Sequence, residues 1–235
     1  MSAKKRKETR AEKGFENIEE ALTSTERFLD QNQRSIVIGL IIVILLVGAY
    51  LAYHYLIKLP RLEKAQTAIF KGERYFQQGD DSLALFGNGN DYIGFESIAS
   101  QYKGTKTANL AHAYAGISYS RMGDNAKALE HLNKFNGKDL LLTPAVTGAI
   151  GDVYMNMGET DKAVNQFLKA AKEADNEMLS PIYYKKAGVA YLSVDNYDQA
   201  IEMFELIKEN YLNSPEAQEA DKFIIQAKLS KGESK

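Results

Sequence analysis

Three glycines set the frame of this 235-residue sequence. When Gly116, Gly151 and Gly188 are aligned, matching residues fall in step behind each of them. Tyr119, Tyr154 and Tyr191 stand three places on, Ala128, Ala163 and Ala200 twelve places on, and Leu132, Phe167 and Phe204 sixteen places on. Pro144 and Pro181 precede the second and third glycines by seven places. The spacings are 35 and 37 residues. A period of that size is one supersecondary unit repeated; a single unit cannot bury its own apolar face and has to stack on its neighbours. Glycine and alanine let the two helices of a unit approach closely, and the tyrosine and phenylalanine fill the gap to the next unit. Met122-Gly123-Asp124 and Met157-Gly158-Glu159 mark the turn between helices, with glycine ending the first and an acid at the positive start of the second.

A degenerate fourth copy comes first. Gly72, Tyr75 and Gly79 match the start of a unit, and Phe95, Ile98, Tyr102, Thr105 and Ala108 reproduce the spacing of Phe204, Ile207, Tyr211, Ser214 and Ala217. From Gly72 to Phe95 is 23 residues rather than 16, so seven extra residues separate its helices, with Gly87-Asn88-Gly89-Asn90 as a turn-rich tip. Pro144, Pro181 and Pro215 sit where first-turn prolines are tolerated. Ser214 is the expected N-cap of a last helix with Phe223, Ile224 and Ala227 facing inward. A stack needs such a cap, because its last unit otherwise exposes apolar surface. This register resembles the tetratricopeptide repeat (TPR), with its G-x₂-Y…A-x₃-F pattern. The fold class it implies is all-α, a TPR α-solenoid of about four helix-turn-helix repeats plus a C-terminal capping helix.

Residues 36–57 are a second constraint: 22 consecutive positions without Asp, Glu, Lys or Arg, fourteen of them Ile, Leu or Val. As a helix they would be roughly 33 Å long, enough for a ~30 Å hydrocarbon core. Their aliphatic side chains favour insertion by roughly 4 to 8 kcal/mol, an upper figure. A secretory signal has a shorter apolar region near the start, whereas 35 residues precede this one. Three segments are therefore expected. Residues 1–34 form a cytoplasmic tail whose Phe15, Ile18, Leu22 and Leu29 recur at helical spacing. Residues 35–57 are the transmembrane helix, and residues 58–235 are the repeat domain, with 21 basic and 24 acidic groups. Eight Lys and Arg in the tail favour an N-terminus inside by the positive-inside rule. Lys58, Arg61, Lys64, Lys71 and Arg74 crowd the other flank and favour the inverse.

Support for catalysis is scarce. There is no cysteine, which excludes disulfides, thiolate metal sites and a cysteine nucleophile. A formal net charge of −2 removes the electrostatic case for nucleic-acid binding. His112 and His131 read as surface or packing residues of helices, and His54 as an interfacial residue at the end of the apolar segment. Gly87-x-Gly89 follows no strand and lacks a third glycine, so it is no phosphate loop. Asp80, Asp81, Asn88, Asn90 and Asp91 miss the EF-hand spacing and read as a solvated loop. The chain is expected to be no enzyme, with no cofactor, no metal and no small-molecule substrate.

Binding is the natural use of stacked helix pairs, whose first helices line a concave side. Positions −3, +1 and +4 from each repeat glycine are the expected protein-binding groove: Ala113, Ile117 and Ser120; Gly148, Asp152 and Met155; Lys185, Val189 and Leu192. Only Lys185 fits a carboxylate clamp. The mostly apolar groove suits an amphipathic helix or an unfolded segment. The layout of short charged tail, one anchor and C-terminal repeats resembles the YfgM-type ancillary subunits of the bacterial Sec translocon. That resemblance implies a single-pass protein of the cytoplasmic (inner) membrane, N-terminus in the cytoplasm and TPR domain in the periplasm. Its implied partners are the Sec translocon and a membrane-anchored periplasmic chaperone, with the groove holding or handing over emerging chains during secretion. The alternative is a cytoplasm-facing membrane TPR receptor, or an assembly scaffold for another membrane complex.

Overall fold

The computed structural model describes the backbone of residues 10–233 and the side chains of residues 32–232. The basic run at residues 4–7 and the side chains of Phe15, Ile18, Leu22 and Leu29 lie outside the described positions. Every regular element among the described residues is helical. The chain divides after Pro60 into two units. The first carries α1 (Arg10–Tyr53) and a π turn (His54–Lys58). The second carries α2 (Leu59–Gln78) from Arg61 onward, α3 (Asp81–Phe86), α4 (Phe95–Gln101), α5 (Lys106–Arg121) and α6 (Asn125–Lys134). It continues with α7 (Leu142–Asn156), α8 (Thr160–Ala174), α9 (Ser180–Leu192), α10 (Tyr197–Asn210) and α11 (Pro215–Glu233).

In the first unit the apolar stretch is helical and long and apolar enough to cross a membrane. Its aliphatic side chains are exposed on all sides, Leu45 and Leu46 by 66% each. Pro60 has no N–H for the carbonyl of Leu56, which breaks the i→i−4 ladder there. The π turn lies at this point, with the Leu59 N–H bonding back to the His54 carbonyl.

The second unit is a TPR-like α-solenoid of helix-turn-helix repeats. The aligned glycines explain its construction. A Cβ at Gly116 would stand 2.5 Å from Leu132, one at Gly151 2.5 Å from Phe167, and one at Gly188 2.7 Å from the Phe204 ring. Each glycine thus seats the large residue sixteen places on, and helices α5/α6, α7/α8 and α9/α10 close on these contacts. Gly72 does the same for Phe95 at 2.5 Å. The Tyr92 hydroxyl of the insertion also packs on Gly72, so the added residues fold onto the pair they separate while the glycine–phenylalanine contact is kept. Ala128, Ala163 and Ala200 are all 0% exposed, filling the second close approach.

Turns between the paired helices repeat as well. Seven places after each repeat glycine the backbone enters the left-handed region: Gly79 (φ 78°), Gly123 (φ 83°), Gly158 (φ 74°) and Asp195 (φ 58°). Glycine stops a helix there because it has no Cβ to clash; aspartate is among the few other residues that tolerate it. After the first two of these turns a side chain caps the next helix. Asp80 Oδ1 accepts from Leu83 N–H at 3.1 Å, and Asp124 Oδ1 from Lys127 N–H at 3.1 Å. Thr105 and Ser214, which share a register in the sequence, are both N-caps. Thr105 accepts from Ala108 N–H at 3.0 Å and Ser214 from Ala217 N–H at 3.1 Å.

One element departs from the sequence reading. The insertion is not all loop, because α3 precedes its tip and buries Ala84 and Leu85 completely. The tip folds back, with the buried Tyr92 hydroxyl donating to the Ala84 carbonyl at 2.6 Å. At the far end α11 closes the stack. Ala227 is fully buried and Ile224 nearly so, and the half-buried Phe223 ring stacks on Phe204 at 4.9 Å between centroids.

Candidate functional site

The nine expected groove residues do not share one surface. Ala113 is 1% exposed, and Gly148 is buried beneath the Tyr183 ring, so two of the three −3 positions pack instead of presenting a side chain. Ile117 is half-buried against the core of the first two repeats. Ser120 accepts a 3.4 Å hydrogen bond from Asn156, and Leu192 packs towards α10 and α11. The other four converge. Asp152 and Met155 on α7 and Lys185 and Val189 on α9 line one cavity of about 330 Å³.

The remaining walls of that cavity come from residues the repeat register did not single out. Ile182, Lys186 and Ala190 extend the α9 stripe at intervals of three and four, a spacing legible in the sequence. Phe167 closes the floor, the same ring that seats on Gly151. Glu216 reaches in from α11. Nothing local in the sequence relates Glu216 to Asp152; only the stacking of the cap on the last repeat brings them together.

Both lysines at the cavity are already paired with carboxylates. Lys186 Nζ bonds both carboxylate oxygens of Asp152, at 2.8 and 2.7 Å, and lies 5.5 Å from the Phe167 centroid. Lys185 Nζ bonds Glu219 of α11 at 2.5 Å, which holds the Glu219 carboxyl below its ordinary pKa. Burial, with the Asp152 charge, raises the Tyr183 hydroxyl. Lys185 is thus committed to a neighbouring helix and is not an open clamp for a terminal carboxylate. The arrangement offers an apolar floor and wall with a rim of two neutralised lysines and the Glu216 carboxylate, suited to bulky apolar side chains of a polypeptide.

The side chains of Asp80, Asp81, Asn88 and Asp91 around the insertion are likewise engaged. Asp80 caps α3, Asp81 lies 3.5 Å from Arg121, and Asp91 pairs with Lys71 at 2.6 Å. Asn88 Oδ1 accepts from the backbone N–H groups of Asn90, Asp91 and Tyr92, each at 3.1 Å. These side chains hold the loop's own shape.

Comparison with known proteins agrees with this architecture. A family model described as tetratricopeptide repeat matches residues 148–177, from within α7 to just past the end of α8. Two similar solved structures are crystal structures of Podosopora anserina kinesin light chain nearly identical TPR-like repeats, one of them carrying a single substitution. Both superpose with a TM-score of 0.56 at 15% identity, over 72% of this chain and 86% or 87% of theirs. At that identity the likeness is one of fold. No curated protein matches the chain in sequence.

Proposed function

We propose that this protein is a membrane-tethered, non-enzymatic scaffold that grips apolar segments of other polypeptides, acting as an accessory subunit of the Sec translocon. The observation that carries the reading is the cavity between α7, α9 and α11, lined by apolar side chains, two lysines already paired with carboxylates, and Glu216. The TPR fold supports a role in protein–protein interaction. The exposed aliphatic surface of residues 36–57 supports the tether, since such a helix face is stable against lipid and costly against water. The YfgM-type layout of tail, anchor and repeats supports the translocon assignment, with periplasmic chaperones as further partners. Tethering raises the local concentration of partners at the channel, so weak contacts in a cavity of this size suffice.

A photo-crosslinker at Val189 in native membranes tests the reading. Capture of translocon or periplasmic chaperone subunits is expected; a clean failure at Val189, Met155 and Ile182 alike defeats it. The second reading, a cytoplasm-facing receptor or assembly scaffold, draws on Lys58, Arg61, Lys64, Lys71 and Arg74 immediately after the apolar segment. Protease added to intact spheroplasts separates the two: digestion of residues 58–235 from outside excludes the cytoplasmic orientation.

A further inference from the structure

We propose that His112 and His131 form a two-imidazole site for a divalent transition-metal ion, opening onto a cavity of about 520 Å³ on the second repeat. The repeat register creates the pair. Leu132 on α6 seats against Gly116 on α5, and this contact sets its neighbour His131 opposite His112, one turn before that glycine. The two Nδ1 atoms face each other at 3.3 Å, with ring centroids 5.1 Å apart and planes inclined at 56°. Two imidazoles on one tetrahedral ion, each nitrogen ~2.05 Å from it and ~109° apart, place their nitrogens ~3.3 Å and their centroids ~5.2 Å apart. A collinear hydrogen bond of the same length would hold the centroids about half an ångström further apart. The observed separations are those of the tetrahedral arrangement, and without an ion the same two nitrogens share a bent hydrogen bond.

The surroundings match what a ligating histidine requires. His131 is 8% exposed, and its other ring nitrogen, Nε2, lies 3.9 Å from Glu96 Oε1 on α4. Glu96 is held in turn by the hydroxyl of Tyr119. At 3.9 Å the Glu96 carboxylate lies beyond direct hydrogen-bond length of the distal nitrogen, and its charge favours the tautomer protonated there, which leaves Nδ1 free to bind. Glu96, Ser97 and Ser100 line the same cavity as both imidazoles. No third His, Asp or Glu completes a ligand set among the described residues, so water takes the remaining positions. Lys134 is neutralised by Glu130 at 2.7 Å, while Lys103 adds a positive charge to the cavity wall. Two neutral nitrogen donors with open positions select the borderline ions Zn²⁺, Ni²⁺ and Cu²⁺, with copper tightest.

The test is calorimetric titration of Zn²⁺ and Cu²⁺ into the untagged, chelator-treated full-length chain in detergent, with His54→Gln as control. One ion per chain is expected, unchanged by His54→Gln and weakened on the order of tenfold or more by His112→Gln. Glu96→Gln leaves both donors in place and is expected to weaken binding several-fold. Circular dichroism of each variant checks that the fold is intact. Equal affinity in wild type and His112→Gln, or no binding to wild type at millimolar metal, overturns the proposal.

Discussion

Lys186 on α9 holds both carboxylate oxygens of Asp152 on α7, a link between helices 34 residues apart in sequence. The pair sits on the rim of the proposed polypeptide cavity, and both side chains are more than one-third exposed. An exposed pair contributes little to folding, about 0 to 1 kcal/mol. Asp152→Asn is therefore expected to shift the unfolding midpoint only slightly. Val189→Asp, at a position 41% exposed, is expected to change stability by only about 0.5 kcal/mol. The same change puts a charge on the apolar wall and is expected to abolish capture of apolar segments. Urea unfolding alongside crosslinking from Ile182 checks this; loss of both stability and capture would show that Val189 is a packing residue.

Gly151 and Gly232 make a matched pair. A Cβ at Gly151 would lie 2.5 Å from Phe167, whereas one at Gly232 meets nothing within 4 Å. Gly151→Ala is expected to cost about 1–3 kcal/mol by overpacking the repeat. Gly232→Ala, in α11, is expected to be neutral or to gain up to about 1 kcal/mol from helix propensity. Equilibrium denaturation of the two variants decides it, and equal effects would contradict the packing described.

Ser214 carries the start of the capping helix through its bond to the Ala217 N–H. Ser214→Ala is expected to cost about 1 kcal/mol. The loss should appear first as faster amide exchange in α11, since the cap is bound only to the last repeat. Uniform acceleration across all repeats would instead mean that the stack unfolds as one unit.

Burial, followed by repulsion from His131 and Lys134, lowers the His112 pKa from 6.5 to about 4, against an opposing pull from Glu130. His131 on α6 is lowered too, chiefly by burial, with Glu96 on α4 opposing. The unfolded chain therefore binds a proton at His112 more readily than the folded one. Stability from this residue is fully present above pH 6.5 and is lost as pH falls towards about 4. In the presence of chelator, His112→Gln is expected to flatten the melting temperature across that window relative to wild type. Parallel profiles would refute the assignment.

Much of the repeat architecture was legible because it depends on residue size at fixed intervals. A glycine on one helix and a large side chain sixteen places on meet whenever both helices form, and the left-handed position seven places after each glycine requires the same local chemistry. The cap at Ser214 is equally local, since its partner is three residues away. Asp195 took the glycine's place without breaking the turn, which the spacing still fixes.

The site was legible only in part. Sequence spacing orders residues around a single helix; in the structure Asp152 and Met155 of α7 and Lys185 and Val189 of α9 line one cavity. Spacing could not say that Gly148 would lie under Tyr183, because that contact depends on how α7 meets α9 in the following repeat. Nor could it bring Glu216 of the cap to the cavity, or turn His112 and His131 towards each other in front of Glu96. Those meetings join residues 16 to 64 positions apart. The chain's own periodicity determined the helix pairs and the apolar segment, since both follow from interactions within one or two turns. Which side chains share a cavity was decided by the rotation and offset between stacked helices, a packing compromise among many bulky residues at once.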